Sequence, residues 1–166
     1  MLPSSSRPLR LCLRVLFAPL AVLAFSAYAQ TAPAATSAAA APVPEALARA
    51  AAEKGALVTP SGLVYRSLSP GKGASPSATD TVRVHYRGSF TDGREFDSSY
   101  SRGQPASFPL NRVIKCWTEG VQRMQVGGKA KLTCPSALAY GERGAPGTIP
   151  PNSILQFEVE LLDIQR

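Results

Sequence analysis

The sequence has 166 residues, 45% of them hydrophobic, enough for one domain with a true core and too few for several large ones. Its formal net charge is +7, but the basic residues stand singly and no run of five or six like charges occurs, so nucleic-acid binding is not indicated. One histidine and a few separated cysteines are too little for a zinc site.

Residues 1–29 have the three-part layout of a secretory signal. Arg7, Arg10 and Arg14 precede the apolar run VLFAPLAVLAF, and AYA at 27–29 supplies small residues for cleavage after Ala29. An uncleaved membrane anchor is the alternative, although the run is shorter than the ~20 residues a spanning helix needs and is broken by Pro19. Cleavage would leave 137 of the 166 residues and a net charge of +4, since three arginines and no acid would be lost. It would also remove Cys12, leaving Cys116 and Cys134 as an even pair in an oxidising compartment. Residues 30–44, QTAPAATSAAAAPVP, read as a flexible tether. EALARAAAEKG then makes a short helix stopped at Gly55, with little apolar surface to offer a core. The division is thus 1–29 signal, 30–54 linker with a short helix, and 55–166 folded domain.

Beyond residue 55 the pattern is that of strands. LVYRSL is ended by Pro70 and Gly71. DTVRVHYRGSF alternates, with Val82, Val84 and Tyr86 on one face and Arg83, His85 and Arg87 on the other. On that alternation His85 is a solvent-facing residue, without the oriented partner a general base needs. A turn at TDG leads to REFDSS. NRVIKCWTEGVQRMQVGG carries Val113, Trp117, Val121 and Met124 at helical spacing and is the core helix. KAKLTCP directs Ala130, Leu132 and Cys134 to one face, and LQFEVELLDI directs Leu155, Phe157, Val159 and Leu161 inward. Several antiparallel strands and one short helix give an α+β domain, a sheet wrapped on a single helix.

Motifs for covalent chemistry are missing. VGGKA lacks the Ser or Thr and the earlier glycine of a phosphate loop, Asp92, Glu95 and Asp97 lack calcium-loop spacing, and no serine sits in a nucleophile elbow. What remains is a set of aromatics: Tyr86, Phe96, Phe108, Trp117, Tyr140 and Phe157. Core packing accounts for part of it, and an aromatic-lined pocket for one apolar group is the sharper reading. YGERGAPGTIPP, residues 140–151, is a stiff loop that ends in apolar residues.

VRVHYRGSFTDGREFDSS, VIKCWTEGVQRMQVGGKAKL and AYGERGAPGTIPPNSILQFEVELL, in this order, resemble the FKBP-type peptidyl-prolyl cis–trans isomerases from about Thr59 to the end. The resemblance implies a five- to six-stranded antiparallel sheet curled around one short helix. It implies an isomerase of X–Pro bonds that uses no cofactor and no metal. Trp117 would be the floor of a proline pocket, and Tyr86, Phe96, Val113, Ile114, Ile149 and Phe157 its walls, with Phe108 deeper or adjacent. Tyr86, Phe96, Asp97 and Tyr140 would be the catalytic residues, and the Ile114 N–H would bond the peptide. The 140–151 loop resembles the family's flap, with Ile149 closing the pocket. Ala106 stands where many members carry an aromatic and Ala145 where some carry a histidine, so a wider pocket with different ligand preferences is expected; Cys116 replaces a glycine common in the family just before the tryptophan.

The implied partners are proline-containing, unfolded or partly folded exported polypeptides, with macrolide inhibitors as candidate ligands. No nucleic acid is expected, and a monomer is. The expected location is the periplasm, or the membrane if the signal is uncleaved. A non-catalytic proline-peptide binding module or a periplasmic chaperone is the alternative function. In the family fold Cys116 and Cys134 come close enough to bridge; two buried free thiols are the other possibility.

Overall fold

The computed structural model describes residues 44–165, and the signal and most of the tether expected from the sequence lie outside them. Chain order is α1 (Glu45–Ala52), β1 (Ala56–Val58), β2 (Val64–Ser69), β3 (Thr81–Phe90), β4 (Glu95–Ser98), β5 (Ala106–Pro109), α2 (Lys115–Val121), β6 (Lys129–Cys134) and β7 (Leu155–Gln165), with 3-10 turns at Leu110–Arg112 and Ser136–Leu138. All pairings are antiparallel, in the order β1-β2-β6-β7-β3-β4. β5 shares the free edge of β3 with β4: it pairs Thr81–Val84 while β4 pairs Arg87–Ser89. The sheet has seven strands rather than five or six. The two extra strands, β1 and β5, have three and four residues, too short for an alternating pattern to register.

The inward alternation holds where it was legible. Val82, Val84 and Tyr86 of β3 are buried, as are Ala130, Leu132 and Cys134 of β6 and Leu155, Phe157, Val159 and Leu161 of β7. They close on Cys116, Trp117 and Val121 of α2 and on Met124 to make one core.

α2 is far shorter than the helical spacing suggested. The chain makes a 3-10 turn to Arg112, then runs extended through Val113 (φ −106°, ψ 175°) and Ile114 (φ −60°, ψ 147°) before turning helical. Thr118 Oγ1 donates to the Leu110 carbonyl at 2.7 Å, which ties the turn to the helix.

α1 packs on the opposite face of the sheet, where Leu47 and Ala50 meet Val64, with Ala56 and Ile154 alongside, in a small separate cluster. Just past its end, Glu53 pairs with Arg66 of β2 and with Lys131 of β6, the latter at 3.0 Å. The segment expected as a linker is therefore docked from Glu45 onward. The helix stops two residues before the expected point, with Glu53 already extended. No described helix is long and apolar enough to cross a membrane.

Candidate active site

Trp117, on the first turn of α2, is the centre of the site. It is buried, and three rings meet it edge-on: Tyr86 from β3 at 5.2 Å, Phe157 from β7 at 5.5 Å and Phe108 from β5 at 5.6 Å between centroids. Edge-to-face pairs of this kind contribute about 0.5–1.5 kcal/mol each beyond burial, so the indole is fixed from three sides. Its Nε1 has no hydrogen-bond partner among the described residues.

Phe96 and Asp97 are consecutive in β4, and in a regular strand they would face opposite ways. The register shows why both reach the same place. Gly88 pairs with Asp97 and Ser89 with Glu95, which leaves Phe96 as the extra residue of a β-bulge. The bulge turns the Phe96 ring back against Phe157, at 5.6 Å and nearly perpendicular. Gly88 makes room for it: a Cβ there would lie 2.7 Å from the Phe96 ring and 3.1 Å from that of Phe157.

These residues enclose a cavity of about 440 Å³, a size suited to one small apolar group with flanking chain. Tyr86, Phe96, Asp97, Phe108, Val113, Ile114, Trp117, Tyr140 and Phe157 line it, together with Arg112. Nine of the ten expected pocket residues are thus brought together. Ile149 is the one that does not line this cavity. It is 5% exposed and packed into the core, and the cavity it lines is a neighbouring one with Arg94, Arg143 and the rest of its loop. The cause is the loop's own folding. Ala145 and Ile149 exchange both backbone hydrogen bonds at 2.8 Å, and Gly144 (φ 62°) turns so tightly that a Cβ would meet the Ile149 carbonyl at 2.3 Å. Tyr140, at the start of the same loop, is 40% exposed rather than inward-facing and stands at the mouth.

The polar corner consists of Asp97, Tyr86 and Arg102. The Tyr86 hydroxyl donates to one carboxylate oxygen of Asp97, Arg102 donates to the other, and Arg102 also donates to the Tyr86 oxygen at 2.8 Å. Burial pushes the Asp97 carboxyl up, but these hydrogen bonds outweigh it and hold the group below the ordinary aspartate value. Burial and the adjacent carboxylate push the Tyr86 phenol up. At neutral pH the corner therefore holds one carboxylate, one intact phenol and one guanidinium.

Ser99 secures the backbone beneath. Fully buried, its hydroxyl accepts from the Tyr86 N–H at 2.8 Å and lies 3.0 Å from His85 Nδ1. The His85 ring is stacked on Tyr100 at 4.7 Å, so the residue read as merely solvent-facing is half-buried and partnered. Arg102, Arg112 and Ser99 were not found from the sequence. Proximity to Asp97 is the one signal for Arg102 and Ser99; Arg112 has none.

The Cys116–Cys134 disulfide joins the residue before Trp117 to the end of β6, with the Cα atoms 5.8 Å apart and both cysteines fully buried. The bridged pairing is the one present.

Residues 72–162 match the FKBP-type peptidyl-prolyl cis-trans isomerase family. The chain belongs to that family. It is 57% identical over 122 residues to the FKBP-type peptidyl-prolyl cis-trans isomerase FkpA of Aeromonas hydrophila, covering 74% of this chain and 45% of that protein. The crystal structure of FkpA from Escherichia coli aligns with a TM-score of 0.71 at 52% identity, over 73% of this chain and 56% of that one. The peptidyl-prolyl cis-trans isomerase of Pseudomonas syringae pv. tomato aligns at 0.69 and 38% identity, over 74% and 90%. The chain spans about half the length of the curated FKBP-type relatives it matches first.

Proposed function

We propose that this chain accelerates cis–trans isomerisation of X–Pro bonds in exported polypeptides. The observation that carries this reading is the cavity itself: an apolar, aromatic-walled space over Trp117 with a single polar corner at Asp97 and Tyr86. The prolyl ring seats on the indole among Phe96, Phe157, Val113 and Ile114. The Ile114 N–H lies ahead of the helical ladder, where helix geometry leaves it without an intrahelical partner, and it takes a carbonyl of the peptide. Tyr140 at the mouth offers a second hydrogen bond.

Rotation about the X–Pro bond must break amide resonance, over a barrier of about 18–20 kcal/mol. The planar amide is more charge-separated than the twisted one, so transfer into an apolar cavity penalises the ground state more. Each ~1.4 kcal/mol of that difference gives a factor of ten in rate. The reaction makes and breaks no covalent bond, so residues here need only bind, orient and exclude water. A macrolide that fills the cavity would compete with the peptide.

Export is supported by the signal-like residues 1–29 and by the disulfide, since such bonds persist in oxidising compartments such as the periplasm. The test is a proline isomerisation assay on the purified protein. Acceleration of a neutral Xaa–Pro peptide, reduced more than about tenfold in Phe96→Ala and Asp97→Ala variants that stay folded, supports the reading; tenfold is the effect of about 1.4 kcal/mol. Peptide binding without acceleration replaces it with a non-catalytic proline-binding module.

A further inference from the structure

We infer that Arg112 is a specificity-determining residue and that the cavity favours prolines flanked by an aspartate or glutamate. The inference rests on the proposed isomerase reading, since it names the substrate class of the same site. Arg112 ends the 3-10 turn before α2, is exposed, and forms part of the cavity lining. Among the described residues it enters no ion pair and no side-chain hydrogen bond.

Lys54, Lys72, Arg83, Lys115 and Arg143 also enter no ion pair among the described residues, but none of them lines this cavity. Asp97, the other charged lining residue, is matched by Arg102. Elsewhere Glu53, Glu95, Glu119 and Glu158 are matched by cations of their own. The mouth is thus left with an uncompensated positive charge. The neighbouring depression adds Arg143, also without an ion pair, and Arg94, whose partner Asp92 is 3.9 Å away. An exposed arginine on a turn is ordinarily just a solvated charge. This one differs in lining the cavity where a ligand displaces water.

Reach is set by the backbone. Val113 and Ile114 are extended, so at about 3.3 Å per residue the Arg112 Cα lies roughly 6–7 Å from that of Ile114. A peptide bonded to the Ile114 N–H therefore runs past the guanidinium with the residue next to its proline. A guanidinium takes a carboxylate through two parallel hydrogen bonds, which an amide side chain of the same length cannot match in charge.

The test uses the full-length protein and proline peptides carrying Glu, Gln or Lys immediately before or immediately after the proline. Trp117, the single tryptophan of the sequence, reports binding through its fluorescence without any need for turnover. An exposed ion pair of this kind should tighten the Glu peptide about two- to fivefold over the Gln peptide at one of the two positions. The preference should shrink toward unity near 1 M salt, where screening acts over about 3 Å. Arg112→Gln should abolish the Glu-to-Gln ratio, and Arg112→Glu should reverse the order of the Glu and Lys peptides. Equal affinity for Glu and Gln peptides at both positions, or a preference that survives Arg112→Gln, overturns the inference. Loss of isomerisation with the binding ratio intact would sink the enzymatic reading alone.

Discussion

The hydroxyl of Tyr86 donates to the carboxylate of Asp97 across the sheet from β3 to β4, and the guanidinium of Arg102 bonds to both. The three groups satisfy one another before any ligand arrives. The corner can therefore meet a bound peptide as a fixed dipole, without having to reorganise.

That arrangement sets the response to pH. Asp97 has a folded pKa below its unfolded value of about 3.9, so its contribution is complete above that pH and lost as pH falls through the lower folded value. The Tyr86 phenol is raised above its ordinary value of about 10 and does not titrate below it. Isomerisation of a neutral peptide should be flat from about pH 5 to pH 9 and decline only below about pH 4. A pH profile of kcat/KM checks this, with Asp97→Asn removing the acid limb. An inflection between pH 6 and 7 would mean that some other group governs the step.

Gly88→Ala should damage the site without touching its polar corner. Gly88 is not among the positive-φ glycines, so alanine is allowed by the backbone, and the effect is the clash of its Cβ with Phe96 and Phe157. Overpacking of this kind costs about 1–3 kcal/mol, and the displaced Phe96 ring should narrow the cavity and weaken peptide binding. Urea unfolding and a Trp117 fluorescence titration read the two effects separately. Unchanged peptide affinity in a destabilised variant would show that Phe96 is not a wall of the ligand site.

Removing the disulfide should cost stability more than activity. The bridge closes a separation of 18 residues, worth about 3 kcal/mol by chain entropy. A Cys116→Ala/Cys134→Ala double variant should melt about 10 °C lower. Activity at moderate temperature should persist, because the aromatic contacts to Trp117 remain. Both cysteines are fully buried, so reduction of the native protein should be slow until denaturant is added. Rapid reduction under native conditions would contradict that burial.

Glu53→Ala should free α1 and leave the site alone. Hydrogen bonds from Lys131, opposed by partial burial, and from Arg66 hold the Glu53 carboxyl below its ordinary value. They lie on the face of the sheet opposite Trp117. Proteolysis between residues 45 and 58 should speed up while kcat/KM stays constant. A fall in kcat/KM would couple the two faces in a way this geometry does not provide.

The long strands were legible because one face of each meets the core, so Val82, Val84 and Tyr86 alternate with Arg83, His85 and Arg87. β5 escaped because it is four residues long, follows Pro105 and ends in Pro109. The start of α2 was misread because Val113 faces the cavity from an extended segment while occupying a position that fits helical spacing. Tyr140 and Ile149 are both loop residues, and the hydrogen bonds within the loop decide which is buried. Arg102 and Arg112 act through position alone, and no local pattern separates them from ordinary surface arginines.

The Ser99 hydroxyl touches the backbone of Tyr86 from below and the ring of His85 from outside, while Tyr100, one residue on, stacks on that ring. The segment that presents Arg102 to Asp97 is thereby anchored on the far side of the sheet. Selection working on the protein's exterior thus has a handle on the interior of the site. Replacing His85 or Tyr100 would leave every cavity-lining side chain in the sequence intact and still alter how firmly the Arg102 segment is held. Divergence in ligand preference among otherwise similar cavities can begin on the outer surface.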